Sequence, residues 1–396
     1  MLDLKSGAAG PRKKLLYLAV CDPDLEVTGA TVRMGAFVRH LGRFYDVTLV
    51  HMAGSGYRVD PEVEERFRDR TNRLGVIRRV RVRFSQPGYF LFSPTLYRAA
   101  SRLLQTESFD YLLVDYGLAA IYGRLLAGRF GIPLIYCSHN IEYQMYLEQT
   151  KTDFRRGVLA PYVYLAERAA CRAAKLVVAI SESDSSQYLK LKWLGPDRIE
   201  VIPQGFDAEV SNPFYPPPPH SPAVVLFVGN FRLDHNREAA RLIVQEISPE
   251  VLRARPDAVF QLVGSEPPRQ WNGPHVEYTG FVDDLAPYLR RANLVIAPMP
   301  FGTGMSTKIV TALAFGKTVL TTPEGAGAIP QRHRQMVVSP LAGFAGRIVE
   351  LLATRPAVDA AEFPAVCEDF AWANLTARLH RRIEACCAPD NQSSAG

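Results

Sequence analysis

At 396 residues the chain is too long for one ordinary core and suits two α/β domains. Hydrophobic content of 47% against 22% charged is that of a soluble globular protein, and no apolar run approaches the roughly 18 residues of a membrane span. The formal net charge of +6 is uneven: up to Gln204 there are 29 Lys/Arg against 21 Asp/Glu, and beyond it 17 against 19. Six cysteines without Cys-x-x-Cys spacing predict reduced thiols, a cytoplasmic setting and no metal site.

The first strand-sized run is Leu15–Val20, too short for a signal-peptide core and followed by no small-residue cleavage site. Further runs stand at Val47–His51, Val76–Phe84, Tyr111–Val114, Leu134–Tyr136, Leu176–Ile180 and Ile199–Ile202, with helical patterns such as Val32–Arg43 and Pro94–Leu104 between them. Strands alternating with helices predict βαβ units and a parallel sheet. Pro213 to Pro222 contains four consecutive prolines, a stiff spacer. The rhythm then repeats at Val224–Val228, Ala258–Val263, Val276–Tyr278, Leu294–Ala297, Thr318–Thr321 and Met336–Val338. A last amphipathic helix is predicted from Phe370 through Ile383, before a disordered tail.

Eight arginines crowd between Arg66 and Arg83, and the aromatic segment from Pro87 to Phe92 follows. One reading is a solvated helix and then a strand whose outward face carries Arg79, Arg81 and Arg83. The other is contact with an anionic membrane surface, at the inner face of the membrane, or with a lipid-phosphate acceptor, the aromatics lying in the headgroup layer. No recognised binding module accompanies the charge, so nucleic acid is not an expected partner.

The segment from Ala292 to Pro330 carries the most information. Asn293 to Ala297 predicts a buried parallel strand. Gly302 and Gly304 let the backbone approach a ligand, and Thr303, Ser306 or Thr307 can cap the helix that follows. The first amides of that helix suit a phosphate. Gly316 ends the helix and Val319 to Thr321 starts the next strand. This segment resembles the donor-site loop and helix of retaining glycosyltransferases of family 4, which have the GT-B fold. Four further stretches match in order: Gly131 to Glu142, Leu176 to Asp184, Ile199 to Asp207, and Val224 to Asn230 with Asn236 and then His275 to Leu285. The likeness spans roughly Lys14 to Ala385.

The resemblance implies an α/β fold of two Rossmann-like domains facing each other across a cleft, with ligands at the strands' carboxyl ends. The expected divisions are residues 1–205 for an acceptor-binding domain and 206–368 for a donor-binding domain. Residues 369–387 would form a helix packing back toward the first domain, and 388–396 the tail. His139 stands at a strand's carboxyl end, where an imidazole can hydrogen-bond a sugar hydroxyl or fix its own loop; the family places there a histidine that contacts the donor sugar. Glu142, one turn on, can bind acceptor hydroxyls. Gly29 takes the place of a paired glycine near the donor phosphate, and Arg33 faces a phosphate, a phosphorylated acceptor or a surface salt bridge. In the second domain Gly229 gives room at a strand's end and Arg232 can pair with a diphosphate. Relatives that carry a lysine shortly after this strand differ from this chain, which has Asn236 and Arg237, so Lys308 becomes the second cation. Gly280, Phe281 and Val282 resemble a loop whose backbone brackets the nucleobase, with Asp283 and Asp284 as helix caps.

One departure concerns Thr303 and Thr311, where the family presents two glutamates. A hydroxyl holds two ribose hydroxyls less well than a carboxylate, by about 1–2 kcal/mol. The expected activity is transfer of a sugar from a nucleotide-diphospho-sugar, with retention and without metal or cofactor, to a sugar, lipid-linked or natural-product acceptor. The competing readings are a catalytically silent homologue, a sugar-nucleotide epimerase of the same fold, and a transferase that uses a sugar phosphate.

Overall fold

The structure, a computed structural model, describes residues 11–23, 29–52, 78–82, 94–148, 150, 154–208, 222–301, 305–354 and 360–387. Two compact units comprise Met1–Ala179 with Asp184–Val201 and Thr376–Gly396, and Ile180–Ser183 with Ile202–Leu375. The proline spacer lies outside the described residues.

In the first unit seven strands, β1 (Lys14–Ala19), β2 (Asp46–Met52), β3 (Arg78–Val82), β4 (Tyr111–Asp115), β5 (Leu134–Cys137), β6 (Leu176–Ala179) and β7 (Ile199–Val201), form one sheet. Their order is β3-β2-β1-β4-β5-β6-β7, and every pairing is parallel. Helices cover such a sheet on both faces, which is why β4, β5 and β6 are apolar without alternation and fully buried. The second unit repeats the plan with β8 (Val224–Val228), β9 (Val259–Val263), β10 (Val276–Gly280), β11 (Leu294–Ala297), β12 (Val319–Thr321) and β13 (Met336–Val338), ordered β10-β9-β8-β11-β12-β13. Alternate residues feed two cores: Val225, Phe227 and Ile296 enter one, Leu226, Val295 and Ala297 the other.

These are the two parallel-sheet domains that the alternating runs predict. In both sheets the order reverses beside the first strand, between β1 and β4 and between β8 and β11. Crossovers leave that point in opposite directions, so the carboxyl ends there open into a crevice.

The helix Trp372–Cys387 starts after Ala371, whose neighbour Trp372 donates its amide to Phe206. From Thr376 onward it belongs to the first unit. There Glu384 takes the hydroxyls of Tyr45 at 3.0 Å and Tyr111 at 3.2 Å, and Phe44 stacks on His380.

Most of the arginine-rich segment lies outside the described residues; β3 carries three of its arginines. Arg79 does not point outward as the alternation suggests. It donates to Asp22 at 2.6 Å and to His51 at 2.8 Å, because a buried carboxylate at the end of β1 needs a cation more than solvent does. Arg78 pairs with Glu107, and Arg81 is exposed.

Gly264 follows β9 at φ +146°, and a Cβ there would stand 1.8 Å from the carbonyl oxygen of Gly229. Gly264→Ala is expected to lower stability by about 2 kcal/mol or more, read as a shift of the urea midpoint.

Candidate active site

In the second unit the crevice is built around the ends of β8 and β11. Gly229 leaves β8 with its amide on Val263, and a Cβ there would press into Asn236 at 2.9 Å. Asn236 sits in the first turn of the helix Asp234–Leu242, 4% exposed, and its amide group donates to the carbonyl of Asn230 at 2.9 Å. The other end of that side chain accepts from the Nζ of Lys308 at 2.7 Å. Lys308 lies on the helix Thr307–Ala314 with its ammonium 5.2 Å from the ring centroid of Phe227. Among the described residues no carboxylate pairs with it, and burial pushes its pKa down to about 8. The nearby His235 is pushed down to about 4 by burial and by the lysine's charge.

Lys317 has the same depressed pKa of about 8 from burial, yet its environment differs. Its ammonium is tied to the carbonyls of Arg290 and Ala292 at 3.0 and 3.1 Å, a structural tether.

Ser306 holds the cap position before the lysine's helix, but its side chain makes no capping bond, and its hydroxyl has no partner among the described residues. The first turn is therefore uncapped by that side chain, which leaves its amides without that acceptor. Thr311, half-buried, follows Lys308 by three positions and so shares its face of the helix. Gly302, Thr303 and Gly304 lie outside the described residues.

Gly280 has φ +79°, a left-handed turn at the end of β10, followed by the half-buried Phe281 and Val282. Asp284 accepts the amide of Ala286 at 2.9 Å at the start of the next helix. Arg232 is exposed and pairs with Glu266. Glu324 is exposed on the short helix Pro323–Ala326.

In the first unit the ends of β1, β4 and β5 bring together a chain of buried polar groups. His139, 5% exposed, has its Nε2 2.5 Å from Oδ1 of Asp115. The second oxygen of Asp115 takes the Tyr17 hydroxyl. Arg33 is fully buried rather than on the surface; it donates to the carbonyl of Ser138 at 2.8 Å and lies over Phe37. The turn is held from the other side. Tyr188 joins the hydroxyl of Ser138 at 2.8 Å and donates to Glu167 at 2.6 Å, while Glu167 accepts the amides of Glu142 and Tyr143. Glu142 is itself fully buried, and among the described residues neither carboxylate oxygen finds a hydrogen-bond partner. Burial, with Glu167 and Asp184 close by, pushes its pKa well up. Gly29 is the exposed first residue of the helix Gly29–Leu41.

The structure thus gathers Gly229, Asn236 and Lys308 in one crevice and Arg33 and His139 around one turn. Asp115 is the residue that sequence reasoning missed. Its signal was available: an acid directly after the apolar run Tyr111–Val114, at a strand's carboxyl end.

The comparisons with known proteins agree with this architecture. A family model described as Glycosyltransferase Family 4 matches residues 27–210, and one described as Glycosyl transferases group 1 matches residues 222–354. A search of curated proteins finds no match. Among solved structures, sucrose-phosphate synthase from Thermosynechococcus elongatus is similar at 18% identity and TM-score 0.71, covering 94% of this chain and 100% of its own. HepE of Anabaena, in complex with UDP and glucose, is similar at 15% identity and TM-score 0.66, covering 94% of this chain and 100% of its own. A putative UDP-N-acetylglucosamine 2-epimerase from Listeria monocytogenes is similar at 12% identity and TM-score 0.61, covering 94% of this chain and 96% of its own. At these identities the structural likeness speaks for the fold. With a glycosyltransferase domain matched in each half, the chain is a glycosyltransferase of the GT-B class.

Burial lowers the pKa of His51, His139, His235 and His380 below the ordinary value of 6.5. At these histidines the folded state binds fewer protons than the unfolded chain, so their contribution is fully present above pH 6.5 and lost as pH falls below it. Burial raises Glu142 and Glu167 and acts with the opposite sign over the same range, so the test is a difference between variants. His235→Gln should lose less of its thermal midpoint between pH 7 and pH 5 than the wild type does.

Proposed function

We propose that this glycosyltransferase moves a sugar from a nucleoside-diphospho-sugar to a hydroxyl acceptor with retention and without a metal ion. The observation that carries the donor class is Lys308: a desolvated ammonium held by a neutral amide, beside an uncapped helix start, at the point where the strand order reverses. A cation kept from carboxylates in that position is suited to an anion, and a diphosphate provides two charges for the lysine and the helix amides to share. That HepE of Anabaena was solved with UDP supports the same donor class. Because the lysine and the amides neutralise the leaving diphosphate, departure needs no divalent cation.

Retention is supported by the resemblance and by the chemistry of the carboxylates. Asp115 is already committed to His139 and Tyr17, and the raised pKa of Glu142 makes it a poor nucleophile. In the proposed route the donor phosphate accepts the acceptor's proton on the side from which it leaves. His139 hydrogen-bonds a sugar hydroxyl with its ring orientation set by Asp115, and Gly280 with its two apolar neighbours brackets the base.

The test is binding of UDP, GDP, ADP and dTDP by calorimetry, on the wild type and on Lys308→Ala. One diphosphate binding at micromolar strength and weakened at least about tenfold in the variant is the expected result. Binding by the wild type should be strongest below pH 8 and fall by up to about tenfold per unit above it, because the ammonium must be charged to receive the ligand. Lys308→Met should lose that dependence. Turnover with the matching nucleotide-sugar should survive excess chelator.

A second reading, a catalytically silent homologue, is favoured by Thr311, which sits on the face of Lys308 where the resembled family has a glutamate. Thr311→Glu separates the two: nucleotide binding that appears only in the variant marks an eroded site, whereas strong binding by the wild type rejects it. Conversion of a nucleotide-sugar in the absence of any acceptor would instead point to an epimerase.

A further inference from the structure

The helix Phe154–Ala173 carries an apolar stripe that is exposed among the described residues. Phe154 is 76% exposed, Val158 63%, Tyr162 41% and Leu165 59%. At roughly 100° per residue these four positions fall within an arc of about 80°. The opposite face is conventional: Ala160, Val163, Ala166, Ala170 and Cys171 are buried. Isolated exposed apolar side chains need no explanation, but four on one stripe of one helix do. Leu147, on the helix Glu142–Glu148, is a further 52% exposed.

The charges on the same helix identify the partner. Arg172, exposed, returns to the azimuth of Phe154, and Arg168 lies about 40° to one side. The helix's acidic residue, Glu167, is fully buried and bound to Tyr188 and two backbone amides, so it puts no negative charge on the outer face. An apolar stripe ending in arginines, with no acid among its exposed residues, is complementary to a surface that is apolar inside and anionic at its rim. The excess of 29 basic over 21 acidic residues up to Gln204 adds long-range attraction of the same sign. Among the described residues no helix is long and apolar enough to cross a membrane, so such contact is with the surface.

We propose that this face of the helix Phe154–Ala173 lies on an anionic lipid bilayer, with Phe154, Val158, Tyr162 and Leu165 in the headgroup–acyl boundary and Arg168 and Arg172 on lipid phosphates. The surface is distinct from the segment between Arg66 and Arg83, where Arg78 and Arg79 are already engaged by Glu107 and Asp22. The inference stands independently of the sugar donor.

The experiment is flotation of the full-length protein with vesicles of phosphatidylcholine alone and of phosphatidylcholine mixed with phosphatidylglycerol, at low and high salt. The wild type should float with the anionic vesicles at low salt and much less with the neutral ones. The triple variant Phe154→Ser, Val158→Ser, Leu165→Ser should lose partitioning by about tenfold or more while keeping the thermal midpoint, since the three side chains are exposed. Should the triple variant melt early, Phe154→Ser alone carries the comparison. Arg168→Gln with Arg172→Gln should weaken partitioning about fivefold per arginine and reduce its salt dependence. Absence of flotation by the wild type at low salt, or undiminished flotation of the triple variant, would overturn the proposal. So would a dimer in light scattering that the triple variant abolishes, which would assign the face to a second copy of the chain.

Discussion

Parallel pairing obliges the chain to cross back from the carboxyl end of each strand to the amino end of the sheet before the next strand can begin. Both units obey this by placing helices on the two faces of a sheet whose order reverses beside its first strand. The positions of the polar groups follow from that constraint. Within the strands a polar side chain would be buried between two layers of apolar ones. Beyond the carboxyl ends, backbone amides and side chains converge on space that the crossovers leave open. Asp115, His139 and Gly229 all stand at such ends.

The two units use this space differently. The first is crowded with buried groups bonded to one another: Asp115 with His139 and Tyr17, Arg33 with the Ser138 carbonyl, Glu167 with Tyr188 and two amides. Such a network orients its members rigidly, because loosening one leaves another buried and unpaired. The second unit leaves its cation with a neutral partner. Lys317, whose pKa burial also lowers to about 8, is tied to two carbonyls; the contrast is between an ammonium that ties backbone together and one held by a side-chain amide. In the proposed reaction preorganisation of one group and under-satisfaction of another are complementary, the first holding a sugar still and the second receiving a departing diphosphate.

Glu142 marks where composition misleads about role. Its spacing after His139 places it one turn along, where a carboxylate is well suited to acceptor hydroxyls. The structure turns it inward, fully buried, its carboxylate without a hydrogen-bond partner among the described residues, with Gly117 close enough that an added Cβ would stand 2.2 Å from its Cγ. A similar reversal befalls Arg79, whose place in a basic run suggested solvent but which answers Asp22 instead.

The amino-acid sequence by itself determined the thirteen strands seen among the described residues and their grouping into two sheets. Parallel strands buried on both faces must be continuous apolar runs, and helices between them must be amphipathic, so both announce themselves locally. It also placed two glycines at strand ends, Gly229 directly after the run Val224–Val228 and Gly280 two positions after Tyr278. The tertiary structure alone decided which polar residues meet. Asp115 and His139 are 24 positions apart, Asn236 and Lys308 are 72, and no local pattern encodes a contact made across a sheet. Burial likewise belongs to the assembled fold: the depressed pKa of Lys308, the interior position of Arg33 and the uncovered face of the helix Phe154–Ala173 depend on what other segments do or do not pack against them.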